Sequence, residues 1–442
     1  MSTHRPSGTP SETRSSLWKN RNFLRFFFGQ FVSNAGDSLY TVAILWFVYE
    51  LSGSTALTGI ANSLLLLPFV LQIIAGPIVD RLPIKPLLVG SQVVQGVVVL
   101  VLPLAAYTGQ LTVELIIVLI PALSLMTLVN APIQSTLVPR IVADEQLSRS
   151  NSALATVTLG LDMVFDALGG LLIAVFGATA LFLADSLTFA VAGVLFTGMM
   201  IPSVDSENEA PAESALTAYV SDLRSGIDIL RGTLFVEMMF TTAVSNFAIG
   251  VALAVLPAFG TDLGGPAIYG LLLGAIGIGR MFGSVTAPSL NDVPYGRLTA
   301  VSFLLSALLW VGSVYSPSVV LTIGLFCLAW VAAGVNGVLM STLNQRVFPE
   351  NLLGRISAIK GTASMATLPV GSLVGGFVAE YIGVVTTMGL AAFGFGFVGL
   401  YFAIRPGLRH LPAVADVGPS TFDIRVDSSQ GTDTLDGGEV RK

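Results

Sequence analysis

Of the 442 residues, 53% are hydrophobic and only 11% are charged, whereas a soluble domain carries about 25% charged residues. A mean hydropathy of +0.80 with a net charge of −6 marks an integral membrane protein and excludes a soluble enzyme or a nucleic-acid-binding protein. One cysteine, Cys327, and two histidines, His4 and His410, cannot supply a zinc site or an internal disulfide, so neither metal nor cofactor is expected.

Residues 1–22 read as a polar tail, with no cleavable signal expected before the first apolar run. A helix needs roughly 20 apolar residues to cross about 30 Å of hydrocarbon. Six runs meet that need at 23–49, 56–79, 86–107, 113–138, 152–176 and 178–201. A polar stretch, 202–232, separates them from six more at 233–258, 267–289, 298–314, 318–342, 358–382 and 384–404. Within the linker, Leu216, Val220, Leu223, Ile227 and Leu230 are spaced for an amphipathic helix lying on the membrane face. The segment 405–442 is expected to be a disordered tail. No ten-residue alternation recurs, so a β-barrel is not expected.

Basic residues orient this arrangement. Counted from a cytoplasmic N-terminus, Arg81, Lys85, Arg140, Arg149, Arg224, Arg231, Arg297, Arg346, Arg355 and Lys360 all fall in inner connections, and Arg405 opens an inner tail. The outer connections hold no Lys or Arg, which is the pattern the positive-inside rule requires. Both termini are therefore expected in the cytoplasm and the protein in the plasma membrane.

The chain also repeats itself. At an offset of 206 residues, Asn130 falls on Asn336, Ser135 on Ser341, Arg140 on Arg346 and Arg149 on Arg355. Gly169 and Gly170 then fall on Gly375 and Gly376, Gly177 on Gly383, and Gly193 on Gly399. Polar and glycine matches at one constant offset predict two six-helix halves, 23–201 and 233–404, related as a parallel repeat.

Several spans carry polar groups that are costly in lipid, roughly 2.5 to 3.5 kcal/mol for a carboxylate at mid-span on insertion scales. In the first span Gln30, Asn34 and Asp37 recur at helical spacing, so they form one stripe, with Asp37 near the middle. Asp162 and Asp166 lie one turn apart on the fifth span. In a low dielectric two such carboxylates do not readily both ionise, so Asp37, Asp162 and Asp166 are the proton-coupling candidates. Arg280 is the one cation deep in a span, able to pair with a carboxylate or to neutralise an anionic substrate. With Gln30, Asn34, Asn130, Asn246 and Asn336 it forms the set of cavity candidates, although each amide could equally serve as an interhelical hydrogen bond. Asp185, Glu237 and Glu380 are placed toward helix ends, within reach of water.

The connection after the second span, "GPIVDRLPIKP", places Gly76, Asp80, Arg81 and Lys85 in a pattern that resembles the G-x-L-a-D-R-x-G-R-K signature of the major facilitator superfamily. Pro83 and Ile84 depart from it. Together with "NFLRFFFGQFVSNAGDSLY", "LVPRIVADEQLSRSNSA" and "NQRVFPENLLGRISAI", the chain looks most similar to the branch containing macrolide-efflux proteins and enterobactin exporters. That resemblance implies the major facilitator fold, alternating access and a gating role for the Asp80/Arg81 loop on the cytoplasmic side. One departure is "VFDALGG", where Phe165 and Asp166 stand in place of the glycine-proline pair of many proton-driven exporters.

The expectation is thus an all-α integral membrane protein of twelve transmembrane helices, acting as a monomer, and no enzyme. It would move a small hydrophobic or amphipathic molecule out of the cell in exchange for protons. An importer or facilitator on the same fold is the alternative, and a non-transporting sensor or membrane enzyme a distant one.

Overall fold

A computed structural model describes residues 17–71, 83–201, 230–349, 356, 359–361 and 363–422. The gate-loop residues Gly76, Asp80 and Arg81, the linker helix expected over 214–230 up to residue 229, and the tail from 423 lie outside them.

The described chain is helical almost throughout. The first half comprises α1 (Arg21–Ser52), α2 (Thr55–Leu65), α3 (Ile84–Tyr107), α4 (Val113–Met126), α5 (Asn130–Ile141), α6 (Leu147–Phe176) and α7 (Ala178–Thr197). The second comprises α8 (Leu234–Leu263), α9 (Pro266–Thr286), α10 (Tyr295–Val314), α11 (Val319–Ala329), α12 (Val331–Val347), α13 (Thr367–Ile382) and α14 (Val384–Ile404). Among the described residues ten helices are long and apolar enough to cross a membrane, and two shorter apolar ones run Thr55–Leu71 and Val164–Phe176. This is the two-part helical membrane fold expected from the sequence.

The internal repeat is visible in the helix ends. The α4–α5 pair forms one apolar rod from Val113 to Ile141, and α11–α12 forms one from Val319 to Val347, both ends displaced by the same 206 residues. The rods are interrupted near their middles, by a 3₁₀ turn at Thr127–Val129 and at Trp330. Gly177 and Gly383 end α6 and α13 with φ of +78° and +87°, a left-handed conformation that a side chain would oppose. The following helices, α7 and α14, begin one residue later in each half.

Two ends of the bundle can be distinguished. The terminal end carries the N- and C-terminal segments and the basic residues; the distal end carries the tight glycine turns. At the distal end the halves meet helix to helix. An added Cβ at Gly59 of α2 would lie 2.6 Å from the Ser372 carbonyl and 2.9 Å from Gly376 Cα of α13. Thr55 Oγ1 donates to the Gly376 carbonyl at 2.9 Å and Asn62 Nδ2 to Ser372 Oγ at 2.9 Å. Glu380 accepts from Ser54 Oγ at 2.5 Å and from the Ala56 amide at 3.1 Å. On the opposite flank Gly170 of α6 meets Gly270 of α9, where an added Cβ would come within 2.7 Å of Gly170 Cα. Between these seams Trp46 of α1 stacks on Tyr269 of α9, centroids 5.8 Å apart. Small residues let backbones approach where lipid offers no hydrophobic drive, and each interhelical hydrogen bond adds about 0.6–2 kcal/mol.

The terminal end is tied within each half. Asn20 caps α1 by accepting from the Asn22 and Phe23 amides at 3.0 and 3.1 Å. Lys85 donates to the Met199 carbonyl at 2.8 Å. Arg405 grips Glu237 through Nε at 2.9 Å and Nη2 at 2.7 Å. The expectation of disorder from residue 405 needs correction. Pro406–Arg409 forms a helical turn, Ala413 makes an antiparallel bridge with Pro294, and Phe422 is buried with its ring 4.4 Å from that of Phe235. Apolar side chains widely spaced in a polar tail thus cap the second half.

Candidate functional site

The polar stripe of the first span lies on α1. At 100° per residue, Gln30, Asn34, Asp37 and Thr41 fall within an arc of about 60°. The face about a quarter turn away is built from small residues and packs on α7: an added Cβ at Gly29 would touch the Phe196 ring, and one at Gly36 would collide with Asp185 Oδ1 and Thr188 Oγ1. Val42 of α1 meets Gly169 of α6. Gln30 is buried, Asn34 and Asp37 are half-buried and Thr41 is exposed, so the stripe opens toward Thr41. Asn34 Nδ2 turns back to the Gln30 carbonyl at 2.7 Å.

Asp185 changes the picture of this site. Sequence position placed it near a helix end in reach of water; the structure buries it completely. Its Oδ1 lies 3.2 Å from Thr188 Oγ1, but that hydroxyl is closer to the Asp185 carbonyl at 2.7 Å, and Oδ2 has no hydrogen-bond partner. The Asp37 carboxylate acts on Asp185 and on the buried Tyr40, whose hydroxyl is also unpartnered. No cation of the described residues acts on Asp185. Asp185 and Tyr40 are thus buried within electrostatic reach of Asp37, and a negative charge on the fully buried Asp185 is expensive. Reading along the sequence missed Asp185 because depth along a helix does not say which neighbour covers it. The signal was the small-residue series Gly29, Ser33, Gly36, which brings α7 close to α1.

The other candidates are distributed. Asp162 and Asp166 sit one turn apart on α6; the Asp162 side chain is outside the described set, and Asp166 acts electrostatically on Tyr269 across the seam to α9. Asn246 donates to the Ser364 carbonyl at 2.9 Å, and Asn336 accepts from the Tyr295 hydroxyl at 2.6 Å, so both tie helices within the second half. Asn130 is half-buried at the first turn of α5, beside the break in its rod. Arg280 lies on α9 beside a cleft of about 290 Å³ shared with α12. Asp37 therefore acts electrostatically on Asp185, a residue outside the expected set.

Comparison with known proteins adds the family. The sequence model described as a transmembrane secretion effector matches residues 15–428. The chain is similar to macrolide efflux protein A of Streptococcus pyogenes, 23% identical over 83% of this chain and 91% of that one. It is also similar to the enterobactin exporter of Salmonella choleraesuis, 28% identical over 63% of this chain and 67% of that one. Among solved structures, a bacterial homologue of the human lysosomal transporter Spinster, inward-facing and unoccupied, superimposes with a TM-score of 0.67 at 12% identity, covering 90% of this chain and 98% of that one.

Proposed function

We propose, from the premise that this chain belongs to the transmembrane secretion effector family of the major facilitator superfamily, that it is a proton-coupled exporter of small hydrophobic or amphipathic molecules. The observation that carries the coupling is the burial of Asp185, with an unpartnered Oδ2, beside Asp37. A proton is the smallest ligand that removes the cost of a charge on the buried Asp185. If Asp37 is reached from one side in one conformer and the other side in the next, the pair loads and unloads that proton across the membrane.

The basic residues favour a cytoplasmic terminal end and hence two cytoplasmic termini in the plasma membrane. On that orientation the α2–α13 and α6–α9 seams close the outer side. The chain then rests inward-facing, and rocking of the halves 23–201 and 233–404 about the linker 202–232 exchanges access. The Asp80/Arg81 loop is assigned the complementary inner gate. Export of macrolide- or siderophore-like compounds fits what the relatives' names say of them, with a monomer as the working unit.

Everted membrane vesicles acidified inside test this reading. They should concentrate a labelled macrolide, and a protonophore should abolish the accumulation. Accumulation only in right-side-out vesicles with an inward proton gradient would instead establish an importer.

A further inference from the structure

Among the described residues Arg280 is a cation without a counter-ion. It lies 14 residues into α9, about 21 Å from the distal end of that helix, well past the Gly270 seam. No described carboxylate bonds to it, and its side chain is exposed. Its direction follows from the helix. Leu271, Ile278, Phe282 and Val285 form the exposed, lipid-side face of α9, whereas Gly279 and Gly283 pack on α11 and α12. Tyr269, which stacks on Trp46 of the other half, is eleven residues before Arg280 and so within about 20° of it around the helix. Arg280 therefore points into the space between the halves, on the terminal side of the seal.

The wall opposite is shaped to leave room. Gly334 is pressed against the backbone of Arg280, which brings α12 close, but an added Cβ at Gly337 would meet nothing within 4 Å. The cleft of about 290 Å³ so formed is lined by Arg280, Ser284, Gly337, Ser341 and Thr342. A guanidinium at the side of a cleft with hydroxyls around it matches a carboxylate or phosphate, which it can hold through two parallel N–H donors. We propose that the cleft between α9 and α12 holds the anionic head group of an amphipathic substrate, with Arg280 as its counter-ion. The proposal rests on the transport reading for the word substrate and on the cleft alone for the binding.

Thermal unfolding of the full chain in an uncharged detergent tests it, with decyl phosphate, decyltrimethylammonium and dioctanoyl phosphatidylglycerol as probes below their micellar concentrations. Decyl phosphate should raise the melting temperature of the parent by mass action. Arg280→Gln should weaken it about tenfold or more, and Arg280→Lys should retain part of the effect. Gly337→Leu should weaken it too while leaving the charge in place, an outcome not expected of an arginine that only reaches for the membrane interface. Without probe, Arg280→Gln should melt no lower than the parent, since it removes a cation with no counter-ion among the described residues. Equal stabilisation of parent and Arg280→Gln, or none of the parent, overturns the proposal. Stabilisation by phosphatidylglycerol alone, with the same dependence on Arg280, also overturns it by making the site one for bilayer lipid. A parent that binds decyl phosphate through Arg280 yet never pumps against a gradient would contradict the transport reading and leave the site standing.

Discussion

Gly36 of α1 lies directly against the carboxyl of Asp185 on α7, so that a single added Cβ would overlap both Asp185 Oδ1 and Thr188 Oγ1. The absence of a side chain at 36 is what allows a buried acid to sit beside Asp37. Gly36→Ala should therefore cost about 1–3 kcal/mol of overpacking and abolish transport. Gly160→Ala, where an added Cβ meets open space inside α6, is the control and should melt no lower than the parent. Thermal unfolding of the two variants in detergent decides between local collision and general intolerance of the first half to added volume.

The distal seam should report the conformational cycle. With Cys327 replaced by Ser, cysteines at Asn62 and Ser372, whose side chains are hydrogen-bonded at 2.9 Å, should cross-link through a short bis-methanethiosulfonate, which joins them by reducible disulfides. The linked protein should stop transporting and recover on reduction. Unimpaired transport by the linked protein would mean that α2 and α13 do not separate during the cycle.

The ion pair between Glu237 and Arg405 should contribute little. The arginine side chain is 56% exposed, and exposed pairs typically contribute about 0–1 kcal/mol. Glu237→Gln should leave both transport and the melting temperature close to those of the parent. A loss of several degrees would show that the pair positions α14 rather than merely decorating its end.

The ordered part of the tail should matter more. Truncation after Phe422 keeps the ring packed on Phe235 and should be silent, whereas truncation after Arg409 removes that ring and the bridge to Pro294. Losing one fully buried phenylalanine forfeits about 1.5–3 kcal/mol, which should be visible as a lower melting temperature.

Much of this was legible in the sequence for a physical reason: hydrophobic run length and glycine placement are local properties. The 206-residue offset that aligned Gly177 with Gly383 also aligns the helix ends around them. The stripe of Gln30, Asn34 and Asp37 followed from helical spacing alone. What escaped were consequences of which helix lies next to which. Asp185 is buried because Gly36 admits α7, and Asn336 bonds Tyr295 because α10 passes behind α12. Phe422 becomes core only when the chain folds back over 180 residues to Phe235.

We propose above all that Asp37 and Asp185 together carry the coupling proton. The most direct measurement is accumulation of a labelled macrolide in everted vesicles against its own gradient, compared with its equilibrium exchange, for the parent, Asp37→Asn and Asp185→Asn. The amides keep the shape of the carboxyls but cannot carry a proton. Both variants should still exchange substrate yet fail to concentrate it under an imposed pH gradient. Accumulation as steep as the parent's in both variants would contradict the proposal.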